Sequence, residues 1–171
     1  MNDERWLPVV GYEGIYEVSD HGRVRSVDHT DTYGRRRRGK ILNQSQTTNG
    51  RYLCVDLYRG GKSTRRMMRV HRLVAQAFLG EPPTPEHTDC CHIDGDGTNN
   101  TPTNLRWDTH AENLRDRVAH GTHPETSKTH CPEGHALVEG NLVQHPWRTK
   151  GHRVCLKCRR ARDARRRAGA G

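Results

Sequence analysis

The chain has 171 residues and a formal net charge of +9, and it is 31% hydrophobic and 5% aromatic with a single Phe. This composition excludes one large hydrophobic core and favours small modules stabilised partly by metal ions or by a partner. No apolar stretch approaches the ~20 residues of a membrane span, and no signal peptide opens the chain, so we expect a cytoplasmic protein without membrane contact. In the cytoplasm its six cysteines are expected to be metal ligands and thiols rather than disulfides.

The positive charge lies in two arms around an acidic middle. Residues 23–72 carry fourteen basic and three acidic side chains, and residues 148–171 carry ten basic and one acidic. Residues 81–147 carry four basic and eleven acidic ones. Two cationic arms indicate a nucleic-acid partner, because Lys and Arg release counterions from its phosphates. The acidic middle is compatible with that partner if it holds a divalent cation that bridges to a phosphate.

Short strands and turns are predicted for residues 6–58. In YEGIYEVSDHGRVRSV the hydrophobic residues alternate, and Asp20–Gly22 forms a turn. The basic stretch RRRRGK precedes a hairpin with a tight turn at Asn49-Gly50.

The hydrophobic spacing of VHRLVAQAFLG predicts a helix that ends at Gly80. DCCHIDGDGTNN, residues 89–100, follows as part of a strand–loop–strand. The next helix is expected to begin after Asp108 or Thr109, either of which can cap it, and to end at Gly121.

Two metal-ligand pairs occur near the C-terminus. Cys131 and His135 have Cys-x3-His spacing, and Cys155 and Cys158 have Cys-x2-Cys spacing. Two such turns complete a closed tetrahedral zinc site, and the metal would supply the folding free energy that this core-poor region lacks. The alternatives are free thiols, or a fourth ligand other than His135, taken from His130, His145 and His152.

The segment DCCHIDGDGTNN allows three interpretations. A calcium loop fails because the carboxylate expected at its twelfth position would fall at Leu105. A zinc site at Cys90 and Cys91 is disfavoured because neighbouring residues of a strand point to opposite faces. The third is a reaction centre in which a strand, loop, strand and helix bring His92 near Asn113. There a neutral imidazole can take a proton from water while a metal held from the helix polarises a phosphate.

The pattern VHRLVAQAF, HIDGDGTNN and NLRWDTHAEN, over residues 69–114, resembles the HNH endonucleases of the phage and homing type. Residues 6–27, WLPVVGYEGIYEVSDHGRVRSV, are similar to the DNA-binding module that commonly precedes this core. The C-terminal Cys/His unit resembles, more weakly, zinc modules appended to some phage HNH proteins.

The resemblance implies a ββα-metal fold with one catalytic divalent ion. By position, His92 matches the general base, Asn104 the asparagine that braces the loop, and Asn113 the metal ligand on the helix. The second ligand of the family, normally Asp, Asn or His, falls at Cys91. A thiolate is a soft ligand that favours zinc over magnesium, so this departure leaves the choice of Mg²⁺, Mn²⁺ or Zn²⁺ open.

The expected fold class is therefore α+β, with an N-terminal antiparallel β module, a central ββα-metal HNH core and a zinc-stabilised C-terminal module. The domain bounds expected are 1–68 for the DNA-binding module, 69–121 for the nuclease core, 122–130 for a linker, 131–160 for the zinc module and 161–171 for a frayed basic tail.

The function expected is hydrolysis of phosphodiester bonds in double-stranded DNA, by a monomer or homodimer, with one catalytic divalent ion, one structural Zn²⁺ and no organic cofactor. The rival is a non-catalytic zinc-containing DNA-binding protein with a degenerate HNH core. RNA binding is disfavoured because paired exposed aromatic residues for base stacking are lacking. The arginines expected to contact DNA are Arg23, Arg25, Arg35, Arg36, Arg37, Arg38, Arg65, Arg66, Arg69, Arg159 and Arg160.

Metal analysis of the purified protein should find about one tightly bound zinc per chain, because the two ligand pairs complete one four-coordinate site. A preparation that is folded and contains no zinc would contradict the predicted module.

Overall fold

The computed structural model of the protein describes residues 3–31, 33–123, 127–143 and 153–169. The chain divides into two compact units, Met1–Asn113 and Leu114–Gly171. Short antiparallel strands and three α-helices make up the described residues, so the expected α+β class is confirmed. None of the helices in these residues is long and apolar enough to cross a membrane.

Six short strands open the first unit. They are β1 (Trp6–Pro8), β2 (Tyr16–Ser19), β3 (Val24–Ser26), β4 (His29–Thr30), β5 (Arg36–Arg37) and β6 (Lys40–Ile41). Four of them form an antiparallel sheet in the order β1-β2-β3-β6, and β4 pairs with β5. The predicted turn between β2 and β3 is confirmed, since the Ser19 hydroxyl accepts the backbone N–H groups of His21 and Arg23 and Gly22 has φ of 72°.

A second antiparallel sheet contains β7 (Ser45–Gln46), β8 (Leu53–Leu57) and β9 (Arg66–Arg69), with β8 in the middle. The predicted tight turn of its first hairpin is confirmed, because Gly50 has φ of 67° and donates its N–H to the Thr47 carbonyl oxygen. Cys54 is as deeply buried as Val55 on the opposite face, so both faces of β8 are covered.

Helix α1 (Val70–Val74) follows β9 without a loop and continues as a π-helical turn over Ala75–Leu79. It ends at Gly80, as predicted. Strands β10 (Asp89–His92) and β11 (Leu105–Asp108) pair antiparallel and lead into helix α2 (His110–Ala119).

Thr109 caps α2 at its N-terminus. Its hydroxyl accepts the Glu112 backbone N–H at 3.3 Å and lies 2.8 Å from the Glu112 carboxylate. Of the two predicted caps, Thr109 is the one whose hydroxyl accepts a backbone N–H of the first turn, while Asp108 accepts the N–H of Thr109.

One hydrophobic core joins the strands of the first sheets to the ββα element. Val18 of β2, Leu57 of β8, Leu73 of α1 and Leu105 of β11 belong to the same buried cluster. The expected boundary between residues 68 and 69 falls inside β9, one residue before α1 begins. The division into modules at this point stays a prediction. The N-terminal strands therefore pack with β10 and β11 in one compact unit.

The second unit contains helix α3 (Leu156–Ala168). The expectation of a frayed tail over 161–171 is wrong for residues 161–168, which continue this helix. The helix persists because arginine is a good helix former and Arg159 lies 3.7 Å from Asp163 one turn later.

Gly97 packs so closely on the hairpin between β7 and β8 that a side chain cannot fit. A Cβ added there would lie 2.1 Å from the Arg51 carbonyl oxygen and 2.9 Å from the Tyr52 ring. The loop that contains Gly97 is thereby held against β8.

We expect Gly97→Ala to lower the free energy of unfolding by about 1–3 kcal/mol, because backbone atoms must move apart to admit the methyl group. Gly61→Ala is the control, since a Cβ at Gly61 meets nothing closer than 3.9 Å. Urea unfolding measures both variants, and equal stability of the two would contradict the packing argument.

Candidate active site and metal centre

The ββα element places the predicted reaction centre at one end of a two-stranded ladder. Asp89 pairs with Asp108, Cys91 with Arg106 and His92 with Leu105. Because side chains alternate along a strand, Asp89 and Cys91 share one face of β10. Cys90 and His92 share the other.

Asn104 closes the loop between the two strands. Its Nδ2 donates to Asp94 Oδ1 at 2.9 Å and to the Asn99 carbonyl oxygen at 2.9 Å, and its Oδ1 accepts the Asp94 backbone N–H at 3.1 Å. The Asp94 carboxylate also accepts a bond from the Asn99 side chain at 2.7 Å. These bonds are what the predicted bracing role requires, and the role itself stays a prediction.

His92 is buried, with 8% of its surface exposed, and its Nε2–H donates to Asn100 Oδ1 at 3.0 Å. With the proton on Nε2, the lone pair lies on Nδ1, which is the form of imidazole that can accept a proton. The ring is stacked on Tyr52 at 5.9 Å and meets His71 edge-on at 5.0 Å. A hydrogen bond and two ring contacts thus fix the orientation of His92.

His71 is a buried neighbour of this ring. Burial, and secondarily the nearby His92, lowers the pKa of His71 to about 3, so His71 is uncharged near neutral pH. Its backbone carbonyl oxygen accepts the Cys90 thiol at 3.7 Å, and burial raises the pKa of Cys90 to about 12. His92 therefore packs against neutral groups on the core side of β10.

The opposite face of β10 meets the start of α2 through Asp89. Asn113 Nδ2 donates to Asp89 Oδ2 at 2.6 Å, and His110 Nδ1 lies 3.0 Å from the same oxygen. Burial raises the pKa of Asp89, but the hydrogen bonds from Asn113 and His110 outweigh it and leave the pKa below its usual value. Asp89 is accordingly ionised at neutral pH.

Cys91 lies on the same face of β10 and is buried, with 5% of its surface exposed. Of the predicted reaction-centre residues, the structure holds Asn113 against Asp89, and His92 against Asn100. Sequence reasoning singled out neither Asp89 nor Asn100. The position of Asp89 two residues before Cys91, on one strand face, is a signal that could have identified it. Nothing in the sequence distinguishes Asn100 from Asn99.

The second unit brings the four predicted zinc ligands together. The ligand atoms of Cys131, His135, Cys155 and Cys158 all lie within 4.8 Å of one another. His135 Nδ1 is 3.3 Å from Cys158 Sγ, and the sulfur atoms of Cys131 and Cys158 are 3.6 Å apart. Neighbouring ligands of a tetrahedral zinc ion are separated by about 3.4–3.8 Å, so this Cys3His set fits zinc.

A buried asparagine supports this cluster from outside. Asn141 Nδ2 donates to Cys155 Sγ at 3.4 Å and to the Ala136 carbonyl oxygen at 2.7 Å. The backbone N–H of Cys158 lowers the pKa of Cys155, which favours the thiolate that metal binding needs. Of the alternative ligands, His130 bonds to the Thr129 hydroxyl, and His145 and His152 lie outside the described residues.

Several of the arginines predicted to contact DNA form ion pairs. Arg23 pairs with Glu4, Arg25 with Glu17, Arg36 with Asp28, Arg37 with Asp31, Arg65 with Asp56 and Arg159 with Asp163. Arg35 lies over Tyr33 and Arg69 over Tyr52. Arg38, Arg66 and Arg160 are exposed. Contact of these residues with DNA stays a prediction.

Two family models match the chain. Residues 4–58 match the NUMOD4 motif, and residues 68–115 match the model described as HNH endonuclease.

Two known proteins resemble the chain in sequence. The DNA endonuclease I-HmuI of Bacillus phage SP01 is 36% identical over 117 residues, which are 68% of this chain and 59% of that protein. An uncharacterized HNH endonuclease of Acanthamoeba polyphaga mimivirus is 27% identical over 117 residues, or 68% of this chain and 31% of the relative. The chain thus spans less than two thirds of each of these relatives.

A solved structure, "DNA binding and cleavage by the HNH homing endonuclease I-HmuI", matches with a TM-score of 0.53 and 35% sequence identity. The match covers 69% of this chain and 60% of that chain.

The burial of neutral His71 predicts a loss of stability in acid. The pKa of His71 is about 3 when folded and about 6.5 when unfolded, so below pH 6.5 the unfolded chain binds the additional proton. Each pH unit below about 6.5 then costs about 1.4 kcal/mol of unfolding free energy, or about 2 kcal/mol at pH ~5.

His71→Phe should remove this part of the pH dependence, while His21→Phe, at an exposed histidine, should keep it. Urea unfolding followed by Trp fluorescence at pH ~7 and pH ~5 compares the variants. If His71→Phe loses as much stability in acid as the unmodified chain, His71 is not the source of the pH dependence.

Proposed function

Residues 68–115 are an HNH endonuclease domain behind a NUMOD4 motif at residues 4–58, and from this we propose that the chain is a metal-dependent DNA endonuclease of the phage or homing type. The resemblance of VHRLVAQAF, HIDGDGTNN and NLRWDTHAEN to HNH endonucleases is thereby confirmed over residues 68–115. The N-terminal resemblance is confirmed by the NUMOD4 match at residues 4–58. The proposed reaction is hydrolysis of a phosphodiester bond in double-stranded DNA. The similarity to I-HmuI, a DNA endonuclease, supports this substrate.

The observation that carries the proposal is the fixed orientation of His92. Its Nε2–H bond to Asn100 leaves the lone pair on Nδ1, and the stacked Tyr52 ring and the edge-on His71 ring hold the imidazole in place. In the proposed reaction Nδ1 takes a proton from water as that water attacks the phosphorus atom. Asn104 keeps the loop closed and thereby keeps Asn100 within reach of His92.

The family implies that Asn113 and residue 91 hold one divalent cation, Mg²⁺, Mn²⁺ or Zn²⁺. When bound, this cation stabilises the negative charge that develops on the phosphate and the leaving oxygen. The side-chain oxygen of Asn113 is a suitable hard ligand. The thiol of Cys91 fits such an ion poorly unless the ion is zinc.

The second metal in the proposal is structural. Cys131, His135, Cys155 and Cys158 would hold one Zn²⁺, and their mutual distances support a closed tetrahedral site. Helix α3 begins directly after Cys155 and carries seven basic residues within Leu156–Ala168. Zinc binding would therefore fix the N-terminal end of a cationic helix.

The DNA partner is proposed from charge as well as family. The arms 23–72 and 148–167 would contact the phosphate backbone, so that positioning is separated from the chemistry at His92. Nicking by a monomer and double-strand cleavage by a homodimer both agree with one active site per chain. The cytoplasm, of the host if the gene is a phage gene, is the proposed location.

We expect His92→Ala to reduce cleavage by about 10²–10⁴-fold, because the general base is removed. DNA affinity should stay within about twofold, since the backbone contacts lie on the basic arms. Plasmid nicking in Mg²⁺, Mn²⁺ and Zn²⁺ measures cleavage, and gel shifts of the zinc-loaded chain without any added divalent ion measure binding.

The matched control is His120→Ala at an exposed histidine, which should cleave like the unmodified chain. An equal loss of cleavage and DNA affinity in His92→Ala would sink the assignment. No cleavage by the unmodified chain in any of the three metals would favour a non-catalytic DNA-binding protein.

A further inference from the structure

The ion that the family implies needs a second protein ligand, and the side chain at the family position is unsuited to a hard cation. Cys91 is a soft donor and is buried. Asp89 lies two residues earlier on the same face of β10 and offers a carboxylate, the preferred ligand of Mg²⁺ and Mn²⁺. The two residues are thus alternatives on one strand face.

The contacts of Asn113 favour Asp89. Asn113 Nδ2 lies 2.6 Å from Asp89 Oδ2, so the helix residue that matches the family's metal ligand touches this carboxylate. Neighbouring oxygen ligands of Mg²⁺ are about 3 Å apart, because each lies about 2.1 Å from the ion at a right angle. Rotating the Asn113 amide by half a turn exchanges its nitrogen for its oxygen, which places two hard oxygen donors side by side.

His110 holds the same carboxylate from the first turn of α2. Its Nδ1 lies 3.0 Å from Asp89 Oδ2, and 73% of its side-chain surface is exposed. A histidine that bonds to a ligand carboxylate fixes the orientation of that carboxylate without touching the ion. The side chain of Asp89 is 23% exposed, so the site is open to an ion and to a phosphate from solvent.

We propose that Asp89, rather than Cys91, is the second protein ligand of the catalytic divalent ion beside Asn113. His110 is a positioning residue for the Asp89 carboxylate. Compared with the family position at residue 91, this ligand lies two residues earlier along β10 and on the same face of the strand. Cys91 is then a packing residue. This inference rests on the proposed function for the role of the ion, and it gives the site the hard oxygen donors that suit Mg²⁺ and Mn²⁺.

The consequence for specificity follows from donor chemistry. The Cys3His cluster supplies the soft donors that zinc prefers, and Asp89 with Asn113 supplies the hard oxygen donors that suit Mg²⁺ and Mn²⁺. The two sites therefore differ in ligand softness. A thiolate at the reaction centre would remove that distinction.

The test is Mn²⁺ binding by the full chain, loaded with zinc and measured by electron paramagnetic resonance of free Mn²⁺ without DNA. Asp89→Asn should weaken Mn²⁺ binding about tenfold or more, because the neutral amide loses the charge of the carboxylate while keeping its shape. Glu81→Gln, which removes an exposed carboxylate elsewhere, is the charge-matched control and should leave Mn²⁺ binding unchanged.

Cys91→Ala tests the alternative ligand. If Asp89 is the ligand, this variant keeps Mn²⁺ affinity within about twofold, and its thermal melting reports any packing loss separately. His110→Ala should weaken binding by a smaller factor than Asp89→Asn. Loss of Mn²⁺ affinity in Cys91→Ala with none in Asp89→Asn would overturn the proposal.

Binding and cleavage separate the two proposals. A chain that binds Mn²⁺ through Asp89 but cuts no DNA keeps this ligand assignment and loses the endonuclease function. If the unmodified chain cuts DNA and Asp89→Asn both binds Mn²⁺ and cuts normally, the endonuclease function is supported and the ligand assignment is contradicted. A purely structural role of Asp89 would lower the melting temperature in Asp89→Asn and leave Mn²⁺ affinity unchanged.

Discussion

The Asn104 side chain bonds to both ends of the loop between β10 and β11, and the proposed reaction centre depends on this closure. The Asn104 amide satisfies the Asp94 carboxylate, the Asp94 N–H and the Asn99 carbonyl oxygen at once. A buried amide that makes all these hydrogen bonds stabilises the loop more than the separate bonds would, because breaking any one of them leaves a desolvated polar group. This closure keeps Asn100 beside His92 and Gly97 against Arg51.

The shared hydrophobic core explains how a polar chain supports such a loop. Val18 of the N-terminal sheet, Leu57 of β8 and Leu105 of β11 pack in one cluster, although few hydrophobic residues are available. The same packing supplies Tyr52 and His71 as walls for the His92 ring. The strands of the NUMOD4 segment therefore contribute to the stability of the nuclease element as well as carrying positive charge.

The two faces of β10 separate two chemical tasks. Cys90 and His92 face neutral, buried groups on the core side of β10. Asp89 faces the first turns of α2, where charged and amide side chains meet solvent. Alternation along a single strand thus sets the proposed proton acceptor, His92, and the proposed metal ligand, Asp89, on opposite faces of β10.

Ligand spacing and residue type were enough to predict part of this protein. The four ligands converge as predicted: Cys131, His135, Cys155 and Cys158. A short turn directs both ligands of each pair towards one point. The alternating strands, the turn at Asn49-Gly50 and the helix that starts after Thr109 follow from local rules of the backbone in the same way. Only the tertiary structure decided that Asp89 meets Asn113, and that His71 packs on His92. These pairs are 24 and 21 residues apart, and their contact depends on strand register and helix packing, which no local pattern encodes.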